Sequence, residues 1–475
     1  MSERNRNQSG QGGRGAQGVR GAQGGHVQPA RRVAYDVIAA VRDSDAYANL
    51  LLPTRIARAG LNPGDAALAT ELTYGTLRMQ GYYDLVIARA AGRPVDRIDP
   101  PILDVLRLGA HQLLSTRVAP HAAVNESVAL ARSVGSRSAT GFTNGVLREI
   151  GRHSPEEWRQ RILADTKGQD QELSALTSHP VWIVRAFRRA LEAEGREAEL
   201  ADLLNADNAA PRVNMVALPG LADLPDDATE DRFSPVGFTA GGGDPQARVE
   251  EAGGRLRVQD EGSQLAALAL SRARPIVPGE QWLDLCAGPG GKAALLAAEA
   301  RLGGATLTAN EVVPARAELV RRALAALPEP VEVLELDGTT VGESHPEQFD
   351  RILLDAPCTG LGALRRRPEA RWRKTPRDVA ELTGLQARLL DAAIAAAKPG
   401  GLIAYVTCSP HIAETRGIVA AALDAHDDVE AVDTPFVLQE LALERLDLAG
   451  DGLAAQLWPH RHGTDAMFIA LLAKR

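Results

Sequence analysis

Apolar residues recur at helical spacing through the first third of the chain, and from Gln281 onward they gather instead into short runs ended by Cys or an acid. Val33, Val37, Ile38 and Val41 share one helix face, as do Leu68, Leu72 and Leu77. Asp99 before Pro100 and Pro101 predicts an N-cap with proline in the first turn, opening a helix through Leu103, Leu106 and Leu113. A last helix of this series carries Phe142, Val146, Leu147 and Ile150. No strand pattern interrupts them, which predicts an all-α domain over residues 31–155.

Residues 156–254 read as linker helices, with an apolar face over Pro180–Phe187, followed by a small α+β subdomain. Arg212–Leu218 predicts a strand there, and Gly241, Gly242 and Gly243 a loop. Residues 255–475 alternate strand, loop and helix, with strands predicted at Trp282–Cys286, Ala305–Glu311, Val331–Asp337, Phe349–Asp355 and Gly401–Thr407. That rhythm predicts an α/β domain with a doubly wound parallel sheet. Ligands bind such sheets at the carboxyl ends of the strands. Here those ends carry Cys286, Glu311, Asp337, Asp355, Cys358 and Cys408.

Composition narrows the class. Residues 1–30 are rich in Gly, Gln and Arg and repeat one motif at Arg14 and Arg20. Such a stretch buries too little apolar area to order itself, so a disordered tail is expected, either solubilising or an electrostatic tether for RNA. The net charge is −8, although residues 1–32 hold six arginines against one Glu. The body is therefore acidic, which excludes a general polyanion binder and leaves nucleic-acid contact to local basic patches. No apolar run approaches the roughly 18 residues of a membrane span. The first residues also lack the apolar block of a signal peptide, so a cytoplasmic protein is expected. Three cysteines, 72 and 50 residues apart, and ten scattered histidines predict neither a disulfide framework nor a metal site.

The loop Cys286, Ala287, Gly288, Pro289, Gly290, Gly291, Lys292 is neither a Walker A loop nor a true Gly-x-Gly-x-x-Gly. Glu311, 23 residues past Gly288, stands about where an acid reaches ribose hydroxyls, and Asp337 falls where it would approach the base of an adenosine-type ligand. Alone, the loop suits a nicotinamide cofactor equally well. The cysteines decide between them, because hydride transfer needs no thiol at two strand ends. Carbon 5 of cytosine is a poor nucleophile. A thiolate adding at carbon 6 makes carbon 5 an enamine carbon able to attack a methyl sulfonium, and loss of the carbon-5 proton then releases the enzyme. Cys358, Cys408, Asp355 and a nucleoside site supply the parts. Cys286 suits packing as well as chemistry.

Ala30–Ala34, His121–Glu126 and Phe142–Arg148 resemble the NusB family of RNA-binding domains. With Val258–Gln264, the glycine loop, Asp355–Gly360 and Thr407–Ser409, nearly the whole chain resembles the RsmB (Sun/Fmu) family of RNA 5-methylcytosine methyltransferases. The resemblance implies a Rossmann-like class I methyltransferase sheet behind a NusB-like domain, with S-adenosylmethionine as cofactor. It implies Cys408 as the nucleophile, Cys358 as the residue that helps release product, and Asp355 on the cytosine edge. It places S-adenosylmethionine on residues Cys286 to Lys292, Glu311, Asp337 and Asp355. Chemistry alone leaves the nucleophile open, since DNA 5-methylcytosine enzymes attack from a Pro-Cys pair, here Pro357-Cys358. Glu311 replaces the family's usual Asp, and Asp465-Ala-Met-Phe468 departs from a commoner Asp-Gly-Phe-Phe.

Residues 365–377 hold seven basic side chains against one acid. Arg365, Arg366, Arg367, Arg371, Arg373 and Lys374 are the predicted RNA contacts, with Trp372 as a stacking face. The target cytosine has to leave its stack before a thiolate reaches carbon 6. The expected partner is small-subunit ribosomal RNA. Transfer RNA is the alternative substrate, and a non-catalytic antitermination or ribosome-assembly factor the alternative role.

Overall fold

The computed structural model describes residues 27–44, 46–449 and 453–475. The tail expected to be disordered lies outside them except for its last positions, where Pro29 already opens the first helix and Ala30 is fully buried. Seven α-helices follow one another from Pro29 to Ile150, spanning 29–43, 48–58, 63–78, 80–91, 100–115, 120–134 and 137–150. Their apolar faces close on one core that includes Val37, Leu72, Val86, Leu106 and Leu147. Asp99 takes the N-cap position as predicted, but its side chain caps nothing; among these seven helices it is Asn62 whose side chain caps, accepting from the Asp65 amide at 2.9 Å.

Helices at Pro155–Leu163, Gln169–Thr177, Val181–Glu192 and Leu200–Ala206 lead to a four-stranded antiparallel sheet. Its strands are β1 (Asn214–Ala217), β2 (Ala228–Glu230), β3 (Gly237–Ala240) and β4 (Leu256–Val258), in the order β2-β3-β1-β4. The predicted strand at 212–218 thus shrinks by three residues. The helix Glu261–Arg272 ties this sheet to the next domain. Glu261 Oε1 accepts from the amides of Phe233 and Ser234, and Gln264 Nε2 donates to Met215 O at 3.1 Å.

The large sheet contains β5 (Gln281–Asp284), β6 (Thr306–Asn310), β7 (Glu332–Leu334), β8 (Phe349–Asp355), β9 (Ala397–Thr407), β10 (Val429–Val432), β11 (Ala455–Gln456) and β12 (Phe468–Lys474). Its order is β10-β12-β9-β8-β5-β6-β7, with β11 beside β12. The five predicted strands, β5 to β9, are the parallel ones. The doubly wound parallel part is as expected, and β12 joins it antiparallel, pairing with β9 over 402–407 and with β10 on its other side. The strand order reverses between β5 and β8, which puts the topological switch point between the glycine loop and the Asp355–Cys358 turn. Among the described residues no helix is long and apolar enough to cross a membrane.

Candidate active site

β5 ends at Asp284, and the glycine loop carries the chain into the helix Gly291–Leu302. Gly290 has φ +105°, and a Cβ there would stand 2.5 Å from that of Ala323, so only glycine passes. A Cβ on Gly288 would lie 2.1 Å from Glu311 Oε2, which leaves no side chain room between the loop and the end of β6. Glu311 is buried; its Oε1 accepts from the Val313 amide at 3.0 Å, and Oε2 lies 3.4 Å from Arg316. Asp337 lies beyond the end of β7, not within it, and is exposed. Its Oδ1 accepts from the Thr339 amide and hydroxyl at 3.0 and 2.8 Å, which holds its carboxyl below the usual range.

Two buried groups around the loop lack partners. Both oxygens of Asp284 are unpaired, and burial, then the Asp355 carboxylate, push its pKa up to about 8 against the pull of Lys292. Gln259 has both amide atoms unpaired, its Cδ 4.0 Å from the Cβ position of Gly291. Cys286 packs against the core behind the sheet. Burial and the carboxylates of Asp284, Asp355 and Glu311 raise its thiol far above the ordinary value, so packing describes it and reactivity does not.

β8 and β9 are neighbours, with Asp355 opposite Val406. Cys358 lies three residues past the one and Cys408 two past the other, and their sulfurs stand 3.4 Å apart, both partly exposed. Lys292 Nζ donates to Asp355 Oδ2 at 2.8 Å, joining the glycine loop to the end of β8. Burial acts to lower the Lys292 pKa, yet Asp355 first and Cys408 after it hold it raised. The hydrogen bond from Cys358 lowers the pKa of Cys408, with Lys292 and Arg367 adding to it against burial and Asp355. The same hydrogen bond, then burial, raise Cys358 well above an ordinary thiol, and the Glu414 carboxylate adds to this. Of the two sulfurs, Cys408 is therefore the one that ionises more readily.

The basic segment requires a correction. Arg371 is fully buried and donates to the carbonyls of Arg78, Ser178 and Asp207 and to Asn208 Oδ1, at 2.9, 3.3, 2.9 and 2.7 Å. Arg365 is buried against Asp465 and Gly463 O, and Arg366 binds Asp260 and Asp465 at 2.8 and 3.1 Å. Arg373 donates to the carbonyls of Val41 and Ala46, both at 2.7 Å. These four hold the segment to the rest of the molecule and are not free for RNA. An arginine count cannot distinguish a guanidinium facing solvent from one satisfied by backbone carbonyls. Arg367 and Trp372 are exposed, Trp372 by 41 %, and Lys374 is half-exposed. Asp465, from the divergent stretch noted in the sequence, is the buried counter-ion of Arg365 and Arg366.

Sequence reasoning missed Tyr47, whose half-exposed ring lies 5.5 Å from the Arg367 guanidinium and 5.2 Å from that of Arg373. It also missed Glu414, a fully buried carboxylate bonded to the residues after both active-site cysteines. The available signal was the hydroxyl residue directly following each thiol, Thr359 and Ser409.

The family model for 16S rRNA methyltransferase RsmB/F matches residues 274–473, and the NusB family model matches 28–152. The chain is 47 % identical to the putative methyltransferase Rv1407 of Mycobacterium tuberculosis, over 94 % of this chain and 97 % of that one. It is 32 % identical to ribosomal RNA small subunit methyltransferase B of Erwinia tasmaniensis, over 94 % and 98 %. The crystal structure of PH0851 superposes with a TM-score of 0.75 over 94 % of this chain and 99 % of that one at 21 % identity, a likeness of fold.

Proposed function

The chain belongs to the RsmB family of ribosomal RNA small subunit methyltransferases, and from that premise we propose that it methylates carbon 5 of a cytosine in small-subunit ribosomal RNA through a covalent bond from Cys408 to carbon 6. The observation that carries this reading is the pair of sulfurs 3.4 Å apart beside the Lys292–Asp355 ion pair. S-adenosylmethionine supplies an electrophilic methyl on sulfur when bound. The site fits it: a loop with no room for a Cβ at Gly288 or Gly290, the acids Glu311 and Asp337 just past successive strand ends, and unpaired polar atoms on Asp284 and Gln259. Residues Cys286 to Lys292, Glu311, Asp337 and Asp355 would hold it.

Cys408, the sulfur with the lowered pKa, adds to carbon 6 as the thiolate. Electron density shifts to carbon 5, which becomes nucleophilic. Asp355 uses Oδ2 on Lys292 and keeps Oδ1 for the cytosine edge, where an acceptor meets the exocyclic amine. After carbon 5 is methylated its proton has to leave before the Cys408–carbon 6 bond breaks. Cys358, held against Cys408, manages that proton once ionised. RNA reaches the pair across Arg367, Trp372 and Lys374, with Tyr47 offering a further stacking face.

Cys408→Ala abolishes both turnover and any covalent RNA adduct. Cys358→Ala accumulates an adduct that survives denaturing electrophoresis. The reverse pattern would assign the attack to Cys358 and overturn this reading. Bisulfite sequencing of ribosomal RNA with and without the protein identifies the base, and transfer RNA assayed beside it tests the substrate class.

A further inference from the structure

Glu414 sits in the short helical turn Ile412–Glu414 after β9 and is wholly buried. Its Oε1 accepts from the Thr359 amide at 2.8 Å and from Gln386 Nε2 at 3.3 Å. Its Oε2 accepts from the hydroxyls of Thr359 and Ser409, at 2.5 and 2.6 Å. Thr359 follows Cys358 and Ser409 follows Cys408, so one carboxylate spans the two turns that carry the sulfurs. Gln386 also donates to Pro357 O at 2.8 Å, and Tyr405 Oη donates to Glu414 O, fixing the acid to β9. Four donors meet the two oxygens, which suits an acceptor-only carboxylate.

We propose that Glu414 is a positioning residue that holds both cysteine turns in register and directs which of the two thiols becomes the nucleophile. It touches neither sulfur, and it acts by geometry and by charge. Geometrically, the 3.4 Å sulfur separation depends on two turns from different strands, and the Thr359–Glu414–Ser409 link bridges them beside a direct contact of the two hydroxyls at 3.2 Å. Electrostatically, the charges around the pair are unequal. Glu414 opposes ionisation of Cys358, whereas Lys292 and Arg367 favour that of Cys408. Asp355 opposes ionisation of both sulfurs, so the difference between them comes from Glu414 beside Cys358 and from Lys292 and Arg367 beside Cys408.

The inference rests on Cys408 being the attacking sulfur, and differential alkylation separates the two claims. Full-length protein is treated with limiting iodoacetamide without RNA across a pH series. Labelling of Cys408 and Cys358 is read by peptide mass spectrometry, with Cys286 as the unreactive internal control. In the native protein Cys408 labels first; faster labelling of Cys358 would overturn the functional reading. In Glu414→Gln, of the same length but uncharged, the Cys358 profile moves to lower pH and the preference for Cys408 falls about tenfold or more. Turnover drops with it, while KM for RNA is unchanged. Glu414→Asp keeps the charge, so it restores the preference without restoring full turnover. Thr359→Val keeps the acid and removes one bridge, so it slows turnover about tenfold and leaves the preference intact. A folded Glu414→Gln with native preference and profile overturns the charge role. Native turnover in Thr359→Val overturns the bridge, and this holds even if the Gln variant fails to fold.

Discussion

Two thiols of identical chemistry, 3.4 Å apart, carry opposite shifts, first from the hydrogen bond between them and then from the charges that face each. A free thiol with a pKa of about 8.5 is only a few per cent thiolate at neutral pH, so a nucleophilic cysteine requires help of this kind. Lys292 provides part of it, and its own cation is held by Asp355 despite burial. Lys292→Met removes the cation while nearly keeping the volume. Alkylation of Cys408 at pH 7 should then slow several-fold, and its pH profile should move upward, because the thiolate loses a counter-charge while Asp355 loses its partner. An unmoved profile would show that Lys292 serves only to position the glycine loop. Cys286 makes the complementary point: surrounded by Asp284, Asp355 and Glu311, the same side chain is kept protonated.

At the scale of elements, the site's cysteines and its acids other than Glu414 sit at or just past the ends of strands that the apolar runs mark. Apolar runs locate these strand ends because a buried parallel strand is a short continuous apolar run that stops where the chain leaves the core. The same rule explains the failures. β10, β11 and β12 form one antiparallel edge of short or late strands, and β7 is three residues long. Glu414 was invisible because a buried acid has no period of its own; only its hydroxyl partners beside each cysteine betray it. The basic segment was misread for a related reason, since sequence gives charge but not burial. Its two kinds of arginine should separate in experiment. Arg371→Ala breaks four hydrogen bonds joining three segments and leaves their buried acceptors unpaired, costing about 3–5 kcal/mol in denaturant unfolding. Arg367→Ala, exposed beside Tyr47, should cost no more than about 1 kcal/mol. It should instead weaken RNA binding about tenfold at low salt, an effect that fades as salt rises. Equal destabilisation by the two would contradict the division.

For the molecule as a whole, buried ionisable groups set a pH window for stability. Asp284 is raised to about 8, chiefly by burial, and burial likewise raises Asp207 and Asp231 to about 7 and Asp104 to about 6. An acid raised on folding is protonated in the native state and ionised in the unfolded one. Stability therefore falls as pH rises from the unfolded value, near 4, through the folded value. Buried His179 and His462 are lowered by burial, His462 to about 4, and oppose this trend only below about pH 6.5, where the unfolded state takes up protons that these rings refuse. Above that pH the aspartates act unopposed, so Tm should decline between pH 6.5 and 8.5. Asp284 is the last of the four to ionise, and Asp284→Asn isolates its share. The amide cannot ionise, and its gain is offset in part by a buried unpaired amide that itself costs about 1–3 kcal/mol. The balance is a gain on the order of 2 kcal/mol at pH 8 that shrinks towards pH 5, read as a flatter Tm-against-pH curve. A variant curve parallel to the native one would show that Asp284 is not the proton-holding group. The same substitution removes a carboxyl from beside the glycine loop, so a loss of methyl transfer accompanied by higher stability would mark Asp284 as a position where binding has been favoured over folding.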